Sequence, residues 1–359
     1  MPAATELRET QAALWLEPIN PFLRDLYASL LLRTGKAEEG FKELTQSVLD
    51  SPSFSTHYYL SARLFPWLST REKIAVEEGL KKALDRSYPA AGDSLGEFYA
   101  RSGRFADQAA LYQKAALDAS DPAKQIDFQL KSGAAYARAK DEAKAEKLLR
   151  QIISTKPDDP RAYQQLVTLI HGPRKDLGLA KATVEEGIKN RAPAFVLYLS
   201  LAEAAHAAGS PDGRRAALTA AKDNIKSAVQ EDQDPYSLYL LLADAASKTQ
   251  DREAEKAALS ESLRFKPRSS NVLHRLANLY MQERNFDRAA FHFTQLTNIN
   301  RNSADTFYRL ALAEEARYGF AAAAKAYARA VALAPDNDEY RQRYEGLKAR
   351  VAQNRKPNG

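Results

Sequence analysis

The sequence predicts an all-α array of helical hairpins stacked side by side. Three observations carry this. An apolar pattern recurs at steps of 34, 34, 37, 34, 35, 41, 34 and 34 residues, between starts at Pro21, Ser55, Pro89, Ile126, Pro160, Phe195, Tyr236, Ser270 and Ala304. Within each step two runs show apolar residues three and four apart, the spacing of one helix face. The eighth residue of each step reads Ala28, Ala62, Gly96, Gly133, Val167, Ala202, Ala243, Ala277 and Ala311, almost all small. A small residue is required where two helix backbones approach closely. Length alone, 359 residues, suggests two domains. The period predicts instead a single array over 1–359, with nine hairpins.

The elements follow in chain order. Glu6 to Leu16, within a half-repeat at 5–20, matches the closing part of a hairpin, since Ala13, Trp15, Leu16, Pro18 and Asn20 fall in register. It reads as half a repeat cut from a longer chain, or as a free-standing cap helix. In the first full hairpin Gly35 marks the turn. In the hairpin from Pro89, Leu95, Gly96 and Tyr99 precede the turn Ser102-Gly103-Arg104, and Phe105, Ala109, Tyr112 and Ala115 follow it. The hairpin from Ser270 repeats this with Leu273, Leu276, Ala277 and Tyr280, then Phe286, Ala289, Ala290, Phe293, Leu296 and Ile299. Turns this short make each helix pair antiparallel neighbours. The hairpin from Pro160 places His171-Gly172-Pro173-Arg174-Lys175 in its turn. The longer step from Phe195 is expected to carry a longer second helix or turn, around Ser210-Pro211-Asp212-Gly213. Gln108 and Glu255 occupy a column where Ala145, Ala289 and Ala323 stand, so the alignment there is open by one residue. Pro18, Pro52, Pro157, Pro267 and Pro335 close hairpins, because proline cannot continue a helix interior. Residues 337–353 read as a cap helix with one apolar stripe, Tyr340, Tyr344, Leu347 and Val351, followed by a frayed tail at 354–359.

Leu95-Gly96, Tyr99 and Tyr112, and Ala145 with Leu149 and Pro157, resemble the tetratricopeptide repeat, W-x2-L-G-x2-Y…A-x3-F…P, with its period of 34. No hairpin has tryptophan at the fourth place; Phe307, Tyr58, Tyr198 and Tyr239 stand there. The resemblance implies a right-handed α-α superhelix (a solenoid) whose first helices line a concave groove that takes peptides. The fifth and ninth residues of each hairpin are the groove candidates, among them Tyr59 and Arg63, Asp93 and Glu97, Gln164, His274 and Asn278, and Tyr308. Two specialised modes of the family do not apply. The fifth residues Asp25, Tyr59, Asp93 and Leu130 form no carboxylate clamp. The sixth residues Leu26, Leu60, Ser94, Lys131, Gln165, Ser200, Leu241, Arg275 and Arg309 form no asparagine ladder.

Chemistry has little to stand on. No cysteine is present, which removes disulfides, thiol nucleophiles and every Cys-based metal site. There is no phosphate-binding glycine loop, no G-x-S-x-G elbow and no H-E-x-x-H. The five histidines are His57, His171, His206, His274 and His292; only His171 and His206 fall at similar places in neighbouring hairpins, and two ligands do not make a metal site. No enzyme activity, cofactor or metal is expected. The net charge of +6 grades from −3 over residues 1–50 to +4 over 301–359, without a basic stripe, so nucleic acid is not the expected partner. No stretch approaches the roughly 20 apolar residues of a membrane span.

The expected function is therefore a non-catalytic protein–protein scaffold that binds a peptide or partner segment in its groove. An alternative of another class is the soluble repeat tail of a larger bacterial membrane protein of envelope polysaccharide assembly, similar to an O-antigen ligase or polymerase; alanine-rich hairpins and a start inside a repeat suit it. The expected location is a soluble compartment, the cytoplasm ahead of the periplasm, or a tether through a missing N-terminal region. The pattern specifies no oligomeric state.

Overall fold

The computed structural model of the chain describes residues 2–18, 20–36, 38–40, 42–43, 46, 65–67, 70–85, 91–230 and 234–354. Among the described residues there are 19 α-helices and no strand. Two compact bodies are present, Met1–Leu169 and Ile170–Gly359.

The N-terminal body contains α1 (Pro2–Leu16), α2 (Pro21–Arg33), α3 (Thr70–Asp85), α4 (Ala91–Arg101), α5 (Phe105–Asp118), α6 (Pro122–Arg138), α7 (Glu142–Thr155) and α8 (Pro160–Leu169). Consecutive helices pack on one another. The core between α2, α3 and α4 holds Ala28, Val76, Leu80, Leu95, Phe98 and Tyr99. The hairpin start expected at Ser55, with Pro52, His57, Tyr58, Tyr59, Ala62 and Arg63, lies outside the described residues.

The C-terminal body opens on a π-turn, Ile170–Arg174, which takes up the His171-Gly172-Pro173 stretch. It continues with α9 (Leu177–Lys189), α10 (Ala194–Ala207), α11 (Pro211–Asp223), α12 (Ile225–Gln230), α13 (Pro235–Lys248), α14 (Arg252–Phe265), α15 (Ser270–Gln282), α16 (Phe286–Ile299), α17 (Ala304–Ala316), α18 (Phe320–Leu333) and α19 (Asp338–Asn354). Helix starts are capped locally. Asp141, Asp176, Ser210, Asp251, Asn285 and Ser303 each accept a hydrogen bond from the backbone N–H three residues on. Pro157, Pro267 and Pro335 follow the second helices α7, α14 and α18 by two residues, where a helix has just ended.

Among the described residues the small-residue column is buried throughout. Ala28, Val167, Ala202, Ala243, Ala277 and Ala311 are fully inaccessible, and Gly96 and Gly133 are buried with them. The leucines before them, Leu95, Leu166, Leu201, Leu242 and Leu276, are buried too. On the second helices Ala145 with Leu149, Ala289 with Phe293, and Ala323 with Tyr327 fill the facing column. Gln108 and Glu255 do occupy the place of those alanines: both are buried, so the alignment needs no shift.

The extra residues of the longer step add helix after the second helix and do not lengthen the turn. Ser210 is an ordinary N-cap, and the turn there has the usual length. The insertion follows α11: Asn224 caps it, and the short α12 packs beside α11 and α13. The gap so opened leaves a cavity of about 280 Å³ between α11, α13 and α14. Arg214, in the small column of α11, donates from Nη1 to the Thr249 carbonyl at 2.9 Å and stands 3.4 Å from the Asp251 carboxylate.

In seven of the described hairpins the inner turn places one residue in the left-handed region. Gly35, Gly103 and Gly209 do this at no steric cost, whereas Lys140, Gln250, Arg284 and Tyr318 do it at φ between 59° and 66°. All four are exposed. Lys140→Gly and Arg284→Gly are each expected to stabilise the chain by about 0.5–1 kcal/mol in urea unfolding, the strain relieved exceeding the added freedom of the unfolded chain. Unchanged or lower midpoints would show that those turns are unstrained.

Candidate functional site

The first helices expose their polar positions on one side, because their apolar ones are spent on the paired second helix. In the N-terminal body α4, α6 and α8 together line a groove of about 660 Å³. Its floor is Phe128, Leu130 and Ala134; Asp93, Lys131, Arg161 and Gln164 stand around it. In the C-terminal body a smaller, more polar groove of about 600 Å³ lies between α13 and α15, lined by Arg275, Asn278 and Gln282 together with Glu255 at the start of α14.

Five ion pairs each tie one first helix to the next. Asp93 of α4 meets Lys131 of α6 at 2.5 Å, and Asp127 of α6 meets Arg161 of α8. In the C-terminal body Glu203 of α10 meets Lys248 of α13 at 3.1 Å, Asp244 of α13 meets Arg275 of α15 at 2.6 Å, and Glu315 of α17 meets Arg350 of α19. In all five the acid is on the earlier helix and the base on the later one. Most of these side chains are half in water, so each pair contributes roughly 0–1 kcal/mol and serves mainly to set charge along the face. Arg275 is the exception. Its side chain is 25% exposed and also donates to the buried Glu255 at 2.8 Å. Burial works against the charged guanidinium, but the bonds to Glu255 and Asp244 outweigh it and hold its pKa above the ordinary value.

The sequence-derived candidates divide accordingly. Asp93 and Gln164 come together in the N-terminal groove. Glu97 is exposed one turn along α4, paired with Arg101 at 2.8 Å. His274 and Asn278 are half-buried and bonded to each other, Asn278 Nδ2 to His274 Nδ1 at 3.1 Å. Tyr308 does not face a groove: it is 7% exposed, its ring stacked on Tyr340 of α19 at 4.4 Å and its hydroxyl donating to Glu339 at 2.5 Å. Burial and then that bond push its pKa up to about 12. The last helix lies over α17, which a reading of α17 by itself does not reveal. Tyr59 and Arg63 fall outside the described residues.

Lys131 and Arg275 were missed by following the fifth and ninth positions. Both are sixth residues of their hairpins, and the basic character of that column was the available signal. Of the histidines, His292 stacks on Tyr280 at 5.7 Å, and burial lowers its pKa. Among the described residues no group of three or more His, Asp or Glu could hold a metal ion, and no helix is long and apolar enough to cross a membrane.

The family model described as tetratricopeptide repeat matches residues 270–303, the hairpin of α15 and α16. No curated protein matches the chain. Similar solved structures include YrrB, a tetratricopeptide-repeat protein with an unusual peptide-binding site (15% identity, 55% of this chain and 97% of that one, TM-score 0.33). Others are PilF of Pseudomonas aeruginosa (15% identity, 60% and 95%, TM-score 0.34) and the Cut9–Hcn1 hetero-tetramer of APC/C (13% identity, 96% and 81%, TM-score 0.32). The matched hairpin, which is similar to a tetratricopeptide repeat, shares its buried small residue and its paired helices with the other described hairpins.

Proposed function

We propose that the chain is a non-catalytic protein–protein interaction scaffold, and that the groove of its first helices takes an extended peptide or partner segment. The observation that supports this most directly is the groove over Phe128, Leu130 and Ala134. Three successive first helices build it, its floor is apolar, and its rim carries both signs of charge. An apolar floor with few polar groups around it suits a bound segment that buries side chains and hydrogen-bonds its backbone. Asp93, Gln164 and Lys131 are the contacts proposed for this groove, with Tyr59 and Arg63 preceding them by register alone.

The test is capture of partners by the native full-length protein, followed by cross-linking. Cross-links to α4, α6 and α8 are expected, and Lys131→Ala combined with Gln164→Ala should weaken the captured partner about tenfold, a loss of about 1.4 kcal/mol. A partner cross-linked only to second helices such as α5 and α7 would rule the groove out.

A further inference from the structure

Arg275, Arg309 and Arg343 follow one another at intervals of 34 residues, at the sixth place of α15, α17 and α19. The acids that face this column do not keep pace. Arg275 is met by Asp244, the ninth residue of the preceding hairpin. The next ninth residue is Asn278, an amide already bonded to His274, and the one after is Leu312. The ladder of acid-to-base pairs therefore loses its acids while its arginines continue. Arg309 turns back to Asp305 on its own helix at 2.8 Å, with the two side chains 41% and 54% exposed. An exposed pair of this spacing contributes only about 0.2–0.5 kcal/mol and is readily exchanged. Arg343 is exposed and lies against the Tyr308 hydroxyl; among the described residues no carboxylate is ion-paired with it.

Resting on the groove reading above, we propose that the face of α15, α17 and α19 takes an acidic, extended peptide whose carboxylates dock on Arg309 and Arg343 as that of Asp244 docks on Arg275. The spacing fits. Packed helix axes stand about 8–10 Å apart. A polyproline II strand brings every third side chain to the same side after about 9.3 Å. The ligand is thus a segment with acidic residues at i and i+3. Arginine suits the task, since its planar fork holds a carboxylate by two parallel bonds.

The probe is a fluorescein-labelled (Glu-Pro-Ala)4 peptide, with (Gln-Pro-Ala)4 as the neutral control, titrated against the full chain by anisotropy at low salt. The glutamate peptide should bind at least tenfold tighter than the glutamine one, and the difference should shrink as salt is raised. Arg309→Gln or Arg343→Gln should each weaken it about tenfold. Asn278→Asp is the decisive variant: it restores the missing acid, pairs Arg309 internally and should also weaken the peptide about tenfold, with all arginines in place and the helical circular dichroism retained. Equal binding of the two peptides overturns the proposal, as does indifference to all three variants. A 12-nucleotide single-stranded RNA that binds tighter than the peptide through the same arginines overturns it in favour of nucleic acid. Failure of the glutamate peptide while a native partner still cross-links to first helices removes this proposal and leaves the groove; a partner confined to second helices removes the groove itself.

Discussion

Replacing Arg275 by methionine is expected to destabilise the C-terminal body by about 2–3 kcal/mol. Glu255 is 6% exposed and holds the place that alanine fills in other hairpins. Its carboxylate is bonded to Arg275 at 2.8 Å. Removing one partner of a buried pair costs about 3–5 kcal/mol, since the other charge is left in a poor solvent. Arg275 is 25% exposed on the groove side, so water softens that figure. The second substitution decides the cause. Glu255→Ala added to Arg275→Met removes the orphaned charge and restores the small residue, so most of the loss should return. Urea unfolding followed by circular dichroism measures the total, and hydrogen exchange of α14 and α15 localises it. A double variant as unstable as the single one would mean that Arg275 acts through its packing and not through its charge.

The second large effect is at Gly96. A Cβ there would collide with the Tyr112 hydroxyl and stand 2.6 Å from the ring carbon bearing it. That ring has little room to retreat: Tyr112 is 7% exposed and stacks on Phe128 at 6.4 Å. Gly96→Ala should therefore cost about 1–3 kcal/mol from overpacking, despite the better helix propensity of alanine. Gly133 holds the same column one hairpin on, but faces Leu149 at 3.4 Å, an ordinary contact. Gly133→Ala should gain up to about 1 kcal/mol. Giving position 112 the leucine that Gly133 faces, as Gly96→Ala with Tyr112→Leu, should recover much of the first loss. Two glycine variants shifting the midpoint in the same direction would contradict this account.

Much of the fold is legible in the sequence because backbone proximity leaves so few choices. Ala28, Ala202, Ala243, Ala277 and Ala311 are where two helices touch, and among the described members of the column only Val167 is larger. The turns were readable only where glycine stands, at Gly35 and Gly103; Lys140, Gln250 and Arg284 adopt the same left-handed conformation at a cost of about 1–2 kcal/mol that leaves no mark on composition. Whether the longer step lengthens its turn or its second helix is open in the sequence because Ala216 to Ala221 are nearly all small, so the alignment slides along them without penalty. Tyr308 shows the limit for the site: a position on a helix face is exposed or buried according to the helix that follows, here α19. The arginines of the sixth column were visible one by one, but their meaning lies in which acids face them, and that is a property of the neighbouring helix.

The helix inserted after α11 matters most under tension. A row of hairpins passes a pulling force from each to the next through the surface that they share. Between α11 and the pair α13–α14 part of that surface is replaced by a cavity of about 280 Å³, and Arg214 of α11 is bonded to Thr249 at the end of α13. Stretched along the row, the C-terminal body has its natural parting line there. It would extend as two pieces, α9–α11 and α13–α19, before either lost its helices.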